Sequence, residues 1–186
     1  MLKKYISFLI VVLLLFSLCG CNTKDITTSD ISVQNQDKFR TVTMQEYGVS
    51  FEVPNDWYVD MEDASVDMFC TNDKLNMAVF GYFTEDFSDD ADYLEVWEAQ
   101  NESVLEQHKN VRKMGHTPEF DAQDKEYETI LYSSEIKDVK QYSYFVFVKP
   151  KENPKAFLWI AFTSIPSSMR DEFDVLEDIV DSIQFN

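Results

Sequence analysis

The sequence predicts an α+β fold, a central antiparallel sheet flanked by helices on both faces. Three observations lead there. Strand-like runs are punctuated by only two helical segments, in the order strands, helix, strands, helix. The links between strands are of hairpin length and not repeated crossovers, as antiparallel sheets with covering helices require. Hydrophobic residues make up 45% of the chain and aromatics 15%, which places it outside the disordered class despite its high charge.

The elements follow in order. Tyr47, Val49, Phe51 and Val53 alternate with smaller or polar neighbours at period two and predict a half-buried strand. Pro54-Asn55-Asp56 closes it, because proline fixes φ and Asn-Asp favours a turn. Val66 to Cys70 and Leu75 to Phe83 predict a hairpin around Thr71-Asn72-Asp73-Lys74, the second run being central because it is apolar almost throughout. Ser88-Asp89-Asp90 is an N-cap cluster. The segment after it, to about Lys109, places Leu94, Trp97, Val104 or Leu105, and His108 at helical spacing. Three more strands are expected over 127–136, 141–149 and 156–163, with Pro150 to Pro154 as the last turn. Pro166-Ser167-Ser168 then starts a helix whose Met169, Phe173, Leu176, Ile179, Val180 and Ile183 form one apolar stripe.

The N-terminus carries its own information. Lys3 and Lys4 precede an apolar run from Ile6 to Leu18, interrupted only by Ser7 and Ser17, and Leu18-Cys19-Gly20-Cys21 follows. A basic start, a short hydrophobic core and small residues before a cut are what an export signal needs. The run falls short of the ~20 apolar residues that span a membrane. Leu at −3, Gly at −1 and Cys at +1 resemble the bacterial lipobox, which implies lipidation of Cys21 and an anchor on the extracytoplasmic face of the cell membrane. Each buried methylene contributes about 0.8 kcal/mol, so two or more acyl chains hold a protein stably. The expected division is a signal peptide over 1–20, a lipidated tether over 21–38 and one globular domain over 39–186. The tether is rich in Ser, Thr, Asn, Gln and Asp and cannot bury enough apolar surface to order itself.

Two segments of the domain resemble a known family. Phe51-Glu52-Val53-Pro54-Asn55-Asp56-Trp57 looks like the F-x-[IV]-P-x-x-W opening of PsbP-like domains, and the closing helix with Ser182-Ile183-Gln184-Phe185 is similar to the family's end. The resemblance covers residues 39 to 186 and implies an α/β/α sandwich. It also implies an accessory that docks onto a larger machine without catalytic residues of its own. No binding residue of the family is matched here position by position.

Charge narrows the partners. The chain has 34 acidic against 16 basic residues, a net −18, and Lys3 and Lys4 belong to the signal. Phosphate-rich partners draw their affinity from Lys and Arg, so nucleic acid is not expected. Anionic headgroups repel such a body, and the charge keeps a tethered, monomeric domain soluble. Cys19 leaves with the signal, Cys21 carries lipid, and Cys70 reads as a small strand residue, so the core holds without a disulfide.

No assembled chemistry is visible, and neither an enzyme nor a cofactor is expected. Gly48, Gly81 and Gly115 do not cluster, which removes phosphate-cradling loops and the nucleophile elbow. Ser134-Glu135-Ile136-Lys137 matches S-x-x-K but lacks its S-D-N and K-T-G companions. His108 and His116 stand without cysteine companions, against a zinc site, and His108 reads as a helix-face or helix-end residue. Asp86, Asp89, Asp90 and Asp92 form a weak calcium candidate that lacks the EF-hand glycine and twelfth-position acid, and helix capping is the preferred account of them. Tyr82, Phe83, Phe87, Tyr93 and Trp97 crowd one loop and are candidates for a partner surface, the alternative being that most enter the core. The expected function is a membrane-anchored, non-enzymatic adaptor or binding module for an envelope assembly. An envelope hydrolase using a carboxylate pair and a small-ligand binder are the alternatives.

Overall fold

The computed structural model describes residues 38–62, 65–86, 90–114, 120, 124–152 and 154–186. The strands are β1 (Phe39–Met44), β2 (Val49–Pro54), β3 (Tyr58–Asp60), β4 (Met68–Thr71) and β5 (Leu75–Phe83), followed by a first helix over Asp90–Leu105. Then come β6 (Lys109–Met114), β7 (Lys125–Ile136), β8 (Val139–Pro150), β9 (Ala156–Ser164), a closing helix over Pro166–Asp181 and β10 (Gln184–Phe185). Seven strands form one sheet in the order β3-β4-β5-β9-β8-β7-β6, and β1-β2-β10 form a second. Every pairing is antiparallel. The fold is α+β, built mostly from strand.

The centre of the large sheet follows from its sequence. Every residue of β9 is buried, which suits its place between β5 and β8. Alternate residues of β8 and β9 join different clusters, as the period of a strand dictates. Tyr144, Val146, Val148, Leu158, Ile160 and Phe162 pack with Met169, Leu176, Ile179 and Val180 of the closing helix and with Val49, Phe51 and Val53 of β2. Phe145, Phe147, Phe157, Trp159 and Ala161 pack with Tyr93, Trp97 and Val104 of the first helix.

Turn chemistry sets the strand ends. Asn72 Oδ1 accepts the backbone N–H groups of Lys74 and Leu75, both at 2.8 Å, and this Asx turn joins β4 to β5. Lys137 and Asp138 both hold positive φ, 50° and 64°, as a two-residue hairpin between β7 and β8 requires. Pro166 occupies the first turn of the closing helix, where its missing N–H costs nothing. At the other end the buried Lys125 donates from Nζ to the carbonyls of Asp181 at 2.9 Å and Ile183 at 2.8 Å, supplying cationic partners for that helix end.

Several boundaries differ from the sequence expectation. The closing helix ends at Asp181, and Gln184–Phe185 pairs with β2 as a strand. The first helix ends at Leu105, so His108 lies beyond it and not on its face. β1, β3 and β6 were not expected as strands. Their pairing with β2, β4 and β7 supplies the order that their own patterns do not announce.

Candidate functional site

The aromatic group singled out in the sequence divides in the structure. Tyr93 and Trp97 are buried on the sheet side of the first helix, at 8% and 9% exposure. The Tyr93 ring lies 5.0 Å from Phe157, and Trp97 meets Phe147 edge-on at 6.4 Å. These two are core residues and not a free surface. Tyr82 and Phe83 are half-buried. Tyr82 stacks on Phe157 at 5.0 Å and its hydroxyl accepts from Gln100 Nε2 at 2.6 Å, while Phe83 sits 5.0 Å from Tyr47. Phe87 lies outside the described residues. The aromatics therefore weld the first helix to β5, β8 and β9.

The other candidates are placed as follows. Cys21, Asp89 and His116 lie outside the described residues, and so do the side chains of Asp86, Asp90 and Asp92. Among the described residues no three His, Cys, Asp or Glu side chains gather as a metal site. No described helix is long and apolar enough to cross a membrane. Cys70 is wholly buried in β4, and burial pushes its thiol up to about 12, which keeps it protonated and unreactive.

Among the described residues, His108 and Ser134 form a contact that resembles chemistry. His108 Nδ1 lies 2.8 Å from Ser134 Oγ, and burial lowers the imidazole below its ordinary value. Ser134 is 1% exposed, however, so its oxygen is closed to a substrate. The far nitrogen, His108 Nε2, is buried without a hydrogen-bond partner among the described residues, so none of their carboxylates orients the ring. Ser134 and Lys137 do not form an S-x-x-K unit either. On a strand, positions three apart point to opposite faces, and Lys137 stands in the hairpin turn. The pair fastens the turn after the first helix to β7.

Two exposed regions were missed by sequence reasoning. The short edge strand β3 and the residues after it present Tyr58 at 61% and Met61 at 46% exposure around a shallow depression from Tyr58 to Glu62. At the opposite edge β6 exposes Lys109, Asn110, Val111, Arg112 and Lys113, and the adjoining hairpin exposes Lys137, Asp138, Val139 and Lys140. The signal for the second was a run of three cations in five residues of a strongly acidic chain.

Comparison with known proteins places the fold. No family model matches the chain, and no curated protein matches it by sequence. Solved structures do. A solution structure of cyanobacterial PsbP (CyanoP) from Synechocystis aligns with a TM-score of 0.56 and 11% identity, covering 85% of this chain and 98% of that one. The Ran-binding protein Mog1p of Saccharomyces cerevisiae aligns with a TM-score of 0.54 and 12% identity, covering 78% and 94%. LpqN of Mycobacterium tuberculosis, described as involved in cell envelope biogenesis, aligns with a TM-score of 0.53 and 11% identity, covering 82% and 87%. At these identities the likeness concerns architecture alone, and the architecture is the PsbP-like fold.

Proposed function

We propose that this protein is a lipoprotein anchored through Cys21 on the extracytoplasmic face of a bacterial cell membrane, where it acts as a non-enzymatic adaptor or binding module for an envelope assembly. One observation carries the reading: a Lys3-Lys4 start, an apolar run and Leu18-Cys19-Gly20-Cys21 stand ahead of a fold shared with an envelope-biogenesis protein. A fold shared with a Ran-binding protein supports its use as a docking scaffold. The domain is read as a monomeric α/β/α sandwich over 39–186, with one helix on each face of the large sheet. The assignment of alternate β8 and β9 residues to separate helix-containing clusters supports that layering.

Chemical crosslinking in intact cells, followed by membrane purification and mass spectrometry, tests the reading. The expected result is a specific membrane complex that is lost in Cys21→Ala. A well-expressed protein that enriches nothing over that control overturns it.

A further inference from the structure

We propose that the basic end of the large sheet is a docking surface for an extended, acid-rich segment of a protein partner. The proposal rests on the adaptor reading above and names the chemistry of the partner. β6 is the terminal strand of the seven, so among the described residues one side of its backbone has no neighbouring strand. Its Lys109, Arg112 and Lys113 are exposed, and Lys137 and Lys140 at the β7–β8 hairpin join them. Lys109 pairs with Glu135, and Glu135 pairs with Lys140. Directly opposed residues share a face about 5 Å apart, so the two lysines flank one carboxylate.

That carboxylate is already engaged, since Glu135 Oε2 accepts from Asn110 Nδ2 at 2.7 Å. None of the five cations forms an ion pair among the described residues, whereas Lys74 meets Glu172 at 2.7 Å and Lys149 meets Glu126 at 3.2 Å. Glu106, Glu135 and Asp138 are the acids along these same segments, fewer than the cations beside them. Within a chain of 34 acidic residues, this sheet end therefore gathers five cations that form no ion pair among the described residues. Edge lysines can serve only to deter strand pairing, but that role gives no reason for lysines at the hairpin.

The occupant follows from the remaining features. Val111 and Val139 are exposed at 39% and 57%, so apolar side chains stand among the charges. A polyphosphate or a lipid headgroup surface makes no use of them, whereas a peptide mixing carboxylates with apolar residues does. The left-handed Asn110, φ 54°, and the register shift between Lys109 and Arg112 bend the strand. Such a bulge disrupts the ladder, which restricts strand addition on β6 to Arg112, Lys113 and Met114 and leaves selection to the side chains.

The test uses the full-length protein in neutral detergent and a fluorescent synthetic peptide alternating Glu and Val. Unlabelled polyphosphate and phosphatidylglycerol vesicles serve as competitors. The account expects saturable binding that weakens about tenfold when Lys109, Arg112, Lys113 and Lys140 are each changed to Glu. Should that variant misfold, the Lys137→Glu, Lys140→Glu pair at the hairpin gives the same reading with a smaller loss. Equal binding by parent and variant, or tighter binding of polyphosphate or vesicles than of the peptide, overturns the proposal. A Cys21-dependent complex in cells that survives the charge reversal sinks this surface while the adaptor reading stands. Absence of any complex with the parent protein sinks the adaptor reading itself.

Discussion

Trp159 donates from Nε1 to Asn101 Oδ1 across 3.0 Å, and both residues are buried, at 1% and 4% exposure. The bond runs from the middle of β9 to the C-terminal half of the first helix, inside an otherwise apolar aromatic layer. Buried polar groups of this kind fix one orientation, because any other leaves the indole N–H without an acceptor.

Asn101→Ala should therefore cost about 1–3 kcal/mol, the penalty for orphaning a buried donor. Urea unfolding followed by tryptophan fluorescence measures it. Trp159→Phe removes the donor along with ring volume, so the double variant should lose less than the sum of the two single losses. Strict additivity would show that the bond does not couple the helix to the sheet.

Gly81 sets the approach of the Gln45–Tyr47 turn to β5. A Cβ at Gly81 would stand 2.5 Å from the Tyr47 ring, which is itself 9% exposed and packed against Phe83. Gly81→Ala should destabilise by about 1–3 kcal/mol, as overpacking does. Tyr47→Leu in the same background should recover part of that loss in the thermal midpoint, and failure to recover would point to the backbone instead of the ring.

His108 predicts a pH dependence. Burial holds its imidazole below the ordinary value, so the folded protein favours the neutral ring. The unfolded chain takes up a proton near pH ~6.5 that the folded chain refuses. This contribution is therefore present in full above that pH and is lost as pH falls toward the lowered folded value. Denaturation at about pH 7.5 and about pH 5.5 should show a larger loss for the parent than for His108→Gln. The carboxylates titrate in both proteins, so the difference between the two is the informative quantity, and equal losses would contradict the assignment.

Most of the fold was legible because the central strands are long and nearly continuous in apolar residues. Ala156 to Thr163 read as a strand and lies within β9, and the stripe from Met169 to Ile183 located the closing helix to within two residues of its end. β6 was illegible for the opposite reason. Its Lys-Asn-Val-Arg-Lys-Met has no buried face and becomes a strand only because β7 offers it a partner. Gln184–Phe185 likewise gains its strand character from β2. At the candidate sites, sequence grouped Tyr82, Phe83, Tyr93 and Trp97 by proximity along the chain, but could not show that Phe147 and Phe157 would arrive from later strands to cover two of them. The contact between His108 and Ser134 joins positions 26 residues apart, and nothing in the spacing announces it.

The central claim is that this domain works from a lipid anchor outside the cytoplasm, and the N-terminal peptide of the protein recovered from the membrane fraction tests it most directly. Mass spectrometry should find a peptide that begins at Cys21 and carries acyl chains, with Cys21→Ala shifting the protein out of that fraction. An unmodified Cys21 still joined to residues 1–20 in the native protein would contradict the account.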